Sequence, residues 1–175
     1  MAANPSTPTA ESAATCDVLI VGGGPAGSTM ATLLARQGRQ VVLLEKDHHP
    51  RFHIGESLIP FTFHVLKEIG LLETMQKSHF TKKHSVQFVN AHGKLSAPFY
   101  FWDNKPHECS QTWQVVRSEF DEMMLNNARE HGVDAHEGYH VRDVLFDGDR
   151  AVGAVVRDPE GVEHEVRAKV VIDAS

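Results

Sequence analysis

The sequence has only two cysteines, Cys16 and Cys109, set far apart. That excludes a disulfide framework and a CxxC metal or redox site, and it predicts reduced thiols in a cytoplasmic protein. Long hydrophobic runs are missing as well. No window approaches about 18 apolar residues, so no membrane span is predicted. The first fifteen residues lack a basic n-region and an apolar core, which excludes a secretory signal. They are rich in Ala, Ser, Thr and Pro, and residues 1–15 are expected to form a flexible arm. Positive charge is scarce where a polyanion partner would need it. The net charge is −6, and residues 88–175 hold 9 basic against 16 acidic side chains. Such a surface repels phosphate backbones, so nucleic acid is not an expected partner. What remains is a chain of 175 residues, 41% apolar. Its length suits one domain or slightly more, able to bury roughly 70% of its unfolded surface.

Asp17–Val21 is an apolar run of strand length without alternation, as expected of a buried parallel strand. Three glycines follow. From Pro25 the pattern turns helical, with Ala26, Met30, Leu33 and Leu34 on one face and Gly38 as the stop. Val41–Leu44 is the next strand and leads into Glu45. Strand, helix and strand within about 30 residues make a parallel βαβ unit. A helix is predicted over 60–69, with Phe61, Val65, Leu66 and Ile69 inward. Strands are predicted at 86–89 and 95–101, and 103–111 is read as an excursion. A second long helix, 118–131, is expected to start on Ser118 as its cap. Its buried side is Phe120, Met123, Met124 and Ala128. Short strands then fall at 133–136, 141–146, 151–157 and 162–168, the last three an antiparallel meander joined by Asp/Gly/Pro turns. A separate apolar run, 170–173, closes the chain.

The central motif is Gly22-Gly23-Gly24-Pro25-Ala26-Gly27, a G-x-G-x-x-G between strand and helix. In such a turn Gly22 permits the tight bend, Gly24 lets a pyrophosphate approach the backbone, and Gly27 lets helix and strand pack closely. The helix N-terminus offers free amides and a positive dipole end. Ser28 is a candidate for one more hydroxyl donor. Glu45 follows the first motif glycine by 23 residues, where a carboxylate can accept from ribose hydroxyls and repel a 2′-phosphate. Both FAD and NAD use this turn. The meander followed by a strand ending in Asp173 resembles the α/β, glutathione-reductase-like, FAD-binding Rossmann fold.

These motifs, with Lys46, Arg51-Phe52-His53-Ile54-Gly55-Glu56-Ser57-Leu58, Val115–Asp121 and Val170–Ser175, resemble the flavin-dependent halogenases. That family lies within the FAD-dependent monooxygenase and geranylgeranyl-reductase-like group. The resemblance implies FAD as cofactor. It implies that Gly22, Gly24, Pro25, Ala26, Gly27 and Ser28 cradle the diphosphate and that Glu45 holds the adenosine ribose. Lys46, Arg51 and Arg117 would lie along the cofactor, and Asp173 would be a second contact. It further implies oxidation of halide by reduced flavin and oxygen, with hypohalous acid reaching a lysine beside a small-molecule substrate. A separate flavin reductase would be the partner. Lys83 is the candidate lysine, five residues before Phe88; Lys82 is adjacent, and two solvated charges at a strand entrance remain the alternative. A geranylgeranyl-reductase-like oxidoreductase and a non-catalytic FAD-binding fragment are the other readings.

The implied layout is a βαβ unit with its loop and helix over 16–80. Partial substrate-domain strands occupy 81–116, and 117–175 returns to the FAD domain with helix, meander and terminal strand. A terminal strand of this kind is expected to belong to a longer sheet, which reads the chain as incomplete. His48, His49 and His53 lack the companions of a metal site, and none is expected. Ser57 is no hydrolase elbow, because Ile59 stands where G-x-S-x-G requires glycine.

Overall fold

The computed structural model describes residues 14–175. The expected arm therefore lies outside the described residues, save that Ala14 and Thr15 already belong to the first strand. β1 (Ala14–Val21), α1 (Pro25–Arg36) and β2 (Val41–Glu45) form the expected βαβ unit. α2 (Thr62–Glu68) and α3 (Leu72–Lys77) follow. Next come β3 (Thr81–Lys83), β4 (Ser85–Val86), β5 (Phe99–Tyr100), α4 (Phe101–Asn104), a 3-10 turn (Glu108–Ser110) and β6 (Thr112–Gln114). The chain finishes with α5 (Arg117–Glu130), β7 (Asp134–Glu137), β8 (His140–Asp147), β9 (Arg150–Arg157) and β10 (Glu163–Asp173).

Six strands form one sheet in the order β7-β2-β1-β10-β9-β8. β7, β2, β1 and β10 run parallel, and β10, β9 and β8 form the antiparallel meander. The parallel core is apolar on both sides, as such strands must be when both faces are covered. α1 and α5 cover one face: Ala31, Leu125 and Ala128 meet Val18, Ile20, Val41 and Leu43. On the other side Leu19 and Leu44 pack with Ala154 and Val156 of the meander. A separate cluster gathers Leu66, Ile69, Met75, Trp113 and Phe120 beneath α2 and α3. The ribbons β3–β6 and β4–β5 stand apart from the main sheet.

Several boundaries differ from expectation, each for a physical reason. The helix predicted over 60–69 is shorter, and its phase buries Phe63 and leaves Phe61 exposed. α3 was not anticipated, because only one turn of apolar spacing signals it. The strands predicted at 86–89 and 95–101 shrink to dipeptides joined through a Val89–Leu95 bridge, and Phe101 opens α4. Met30 faces solvent rather than the core. Ser118 does not cap α5: the N-cap is Val116, and no side chain closes it. The two predicted strands 162–168 and 170–173 are one continuous strand, because β1 pairs along both halves from Ala14↔Val166 to Val21↔Asp173.

Leu125 is fully buried between α1 and the sheet. Leu125→Ala is expected to lower unfolding free energy by about 3 kcal/mol, read from the midpoint of urea denaturation.

Candidate functional site

A cavity of about 560 Å³ opens at the C-terminal ends of the parallel strands. This is where open α/β sheets place their ligands. Gly22, Gly24, Pro25, Ala26, Glu45, Lys46, Arg51, Arg117 and Asp173 all line it. The sequence-predicted cofactor residues thus converge, with two exceptions, Gly27 and Ser28.

Gly27 lies beneath the cavity. A Cβ there would stand 1.9 Å from the carbonyl oxygen of Gly22, so no side chain fits. Ser28 was expected to offer its hydroxyl to phosphate. The structure instead buries it completely, and its Oγ donates to the Gly23 carbonyl at 3.0 Å. Its single proton braces the turn from below. Gly22 adopts a φ of +105°, in the region that favours glycine, and lies against Ala174. Gly24 is the open position: a Cβ there would meet only the Arg51 guanidinium, at 3.7 Å. Gly24 is also the N-cap of α1, with Pro25 in the first turn. A helix N-terminus and a guanidinium therefore face one space kept free of side chains, and both favour an anion.

Glu45 sits at the end of β2 and is nearly fully buried. Its Oε2 accepts from the Gly23 amide at 2.7 Å and its Oε1 from the Asp47 amide at 3.0 Å. Burial alone would raise its pKa; the two amides and then Arg51 outweigh that and hold the carboxyl below its usual range. Oε2 also accepts from Arg51 Nη2 at 3.4 Å, which leaves Oε1 with a further lone pair for a ligand hydroxyl. Asp173 is exposed and accepts from the Ser175 amide at 3.0 Å, which lowers its pKa.

Apart from Glu45, sequence reasoning missed the acids that set the arginines. Arg51 lies 3.4 Å from Glu45, 3.9 Å from Asp47 and 3.7 Å from Asp121. Arg117 grips Asp121 through Nε at 2.7 Å and Nη2 at 2.9 Å, and its Nη1 donates to the Ile54 carbonyl at 2.7 Å. The spacing of Arg117 and Asp121, one helical turn, was the available signal. Tyr139, Val141 and Val144 of the meander side of the cavity had none.

Lys83 is not in this cavity. It leaves β3 toward the 50–58 loop, where Nζ donates to Ser57 Oγ and, at 2.6 Å, to the Leu58 carbonyl. The same ammonium lies 5.9 Å from the centre of the Phe101 ring. Burial pushes its pKa below the usual lysine range. Lys82, its neighbour, is exposed. The loop itself is pinned as an extra strand beside β6: Val115 donates to the Glu56 carbonyl and Leu58 to that of Trp113.

The start of this loop is tied to the far edge of the sheet. Glu137 on β7 accepts from the His49 amide at 2.7 Å, from His49 Nδ1 at 2.8 Å and from Arg129 at 2.8 Å. Burial opposes ionisation of Glu137, but these donors hold its carboxyl down at about 2. A lowered carboxyl pKa stabilises the folded state above the ordinary value of 4.5, and the contribution disappears as pH falls toward 2. Glu137→Gln is therefore expected to lower the melting temperature at pH 7. It should also flatten the loss of stability between pH 5 and pH 3, read from melting temperatures across that range.

Among the described residues no helix is long and apolar enough to cross a membrane. Residues 15–175 match the model of a family described as an FAD binding domain. The chain is similar to the 1H-pyrrole-2-carbonyl-[peptidyl-carrier protein] brominase of Pseudoalteromonas luteoviolacea, with 41% identity over 91% of this chain and 37% of that protein. It is similar also to a flavin-dependent halogenase, armH3, of Armillaria mellea, at 40% identity over 91% of this chain and 32% of the relative. Among solved structures, the myxobacterial chondrochloren halogenase CndH superposes with a TM-score of 0.86 at 39% identity, over 93% of this chain and 37% of that one. The chain thus spans about a third of the length of these relatives. The glycine turn, the arginine-bearing loop and the strand ending at Asp173 thus frame the cavity of a chain that belongs to the FAD binding domain family.

Proposed function

We propose that this chain holds FAD for a halogenation reaction on a small molecule, with Lys83 as its halogen-bearing residue. The observation that carries the cofactor placement is the convergence of the α1 N-terminus and Arg51 on the open space at Gly24. The diphosphate of FAD fits there: two sources of positive potential face a surface without side chains, along Gly24, Pro25 and Ala26. Gly22 and Gly27 shape the turn and Ser28 braces it. Glu45 takes the adenosine ribose through the remaining lone pair of Oε1. Lys46 and Arg117 lie further along the cavity, with Asp173 on the opposite wall. When bound and reduced, FAD supplies the electrons that activate oxygen toward halide.

Lys83 suits the second part of the task. Its amine is held by a neutral hydroxyl and a carbonyl, and burial favours its uncharged form. A lysine held this way can accept an oxidised halogen at Nζ and present it to the substrate. We place the cofactor half on residues 16–80 and 117–175 and the beginning of the substrate side on 81–116. The reduced flavin comes from a separate reductase, and the free, buried Cys16 and Cys109 suit a reducing, cytoplasmic setting.

The paired glycines give a clean test. Gly24→Val has room for its Cβ and is expected to fold with a melting temperature lowered only by the cost of a poorer N-cap, about 1 kcal/mol, while FAD affinity falls at least about a hundredfold. Gly27→Ala, which has no room, is expected to unfold the turn and lose both. FAD titration by flavin fluorescence reads the first, and unchanged affinity in Gly24→Val overturns the placement. In the complete enzyme, Lys83→Ala is expected to end halogenation while oxidation of reduced flavin continues. Halide incorporation and oxygen uptake are the two measurements, and retained halogenation overturns the role of Lys83.

A further inference from the structure

Asp121 is fully buried, yet it is a carboxylate. It stands on α5 one turn after Arg117, on the side that otherwise packs Phe120, Met124 and Leu125. An apolar side chain would fill such a place without the cost of desolvating a charge. What a carboxylate can do there is hold two guanidiniums. Both oxygens of Asp121 are taken by the Arg117 fork, at 2.7 and 2.9 Å, and Arg51 Nη1 lies 3.7 Å from Oδ2. Asp121 itself does not line the cavity, while both arginines do. Arg117, so oriented, has its Nη1 free to donate to the carbonyls of Ile54 at 2.7 Å and Gly55 at 3.4 Å. Arg51, drawn toward Asp121 on one side and Glu45 on the other, keeps Nη2 beside Gly24.

We infer that Asp121 is a positioning residue for FAD: it sets Arg51 at the diphosphate and Arg117 at the 50–58 loop before the cofactor arrives. The inference rests on the cofactor placement proposed above. Binding then meets guanidiniums whose ordering was completed on folding, and it forfeits less conformational freedom. Without Asp121 the two cations repel each other. Arg51 is then held by Glu45 and Asp47 alone, with nothing to fix its second amino group, and the bidentate geometry of Arg117 has no partner to enforce it.

The test is FAD titration of the protein carrying Asp121→Asn, alone and together with Arg51→Met and Arg117→Met. Asp121→Asn, nearly isosteric, is expected to weaken FAD binding about tenfold or more. In the protein that already lacks both arginines, the same change is expected to alter affinity less than twofold, because nothing remains for Asp121 to hold. Losses that simply multiply in that background would mark a purely structural role and overturn the inference. An affinity unchanged by Asp121→Asn would overturn it too. Asp121→Leu, which restores apolar packing on α5, is measured beside it and is expected to show the same loss of FAD affinity. Wild-type affinity in the leucine variant overturns the inference. Gly24→Val separates the two levels. If it leaves FAD affinity unchanged, the cofactor placement itself fails. If it abolishes binding while the Asp121 variants bind normally, only the role of Asp121 fails.

Discussion

A carbonyl oxygen and an α-carbon that admits no substituent fix where α1 begins. The Gly22 carbonyl lies so close to Gly27 that a methyl group there would overlap it at 1.9 Å. This contact lets the first helix leave β1 immediately, with its axis aimed at the cavity and its unpaired amides at the cavity rim. The other end of the same turn is closed by β10, since Ala174 donates to the Val21 carbonyl at 2.8 Å. Strands separated by the length of the described chain therefore meet at one peptide. The parallel register of β1 with β10 brings Asp173 level with Val21, and the acid reaches the cavity from the opposite side.

The 50–58 loop is the second organising element. Arg51 at its start faces the glycine turn, and Ile54 and Gly55 accept from Arg117. Ser57 and Leu58 at its end receive Lys83. One short segment therefore carries a cation of the cavity at the strand ends and the anchor of the candidate halogen-bearing lysine. Its backbone is tied to β6 at Glu56 and Leu58 and to Arg117 at Ile54 and Gly55, so main-chain hydrogen bonds and one arginine together set the distance between the two places. Preorganisation of this kind is what positions reacting groups at low entropic cost.

The local parts of this arrangement were legible in the sequence. The glycine turn and Glu45 carry their chemistry within a βαβ unit, where spacing along the chain is spacing in space. The meander was legible because Asp147-Gly148-Asp149 and Asp158-Pro159-Glu160-Gly161 interrupt apolar runs. The roles of Asp121 and Ser28 were not. Both are polar residues near a helix start, and a propensity argument assigns such residues to solvent or to capping; only burial shows that one holds arginines and the other braces a turn. The continuity of β10 was hidden for a related reason. Arg167, Ala168 and Lys169 lack the apolar pattern of a buried strand, yet pairing with β1 carries the strand straight through them. The small ribbons around Lys83 were hard to read because strands of two or three residues have no periodicity.

The four glycines of the turn differ in what holds them. Gly22 is hemmed in by Ala174, Gly23 by Glu45 and Gly27 by Gly22, so the polypeptide itself requires all three. Gly24 is constrained by nothing nearer than a movable guanidinium, so the packing around it leaves room for a Cβ. Selection acts on these positions through different pressures. A descendant that kept its fold but abandoned its nucleotide would retain the first three and be free to accumulate side chains at the fourth. Position 24 is thus the one glycine of the turn at which a side chain would probe the pocket before it strained the fold.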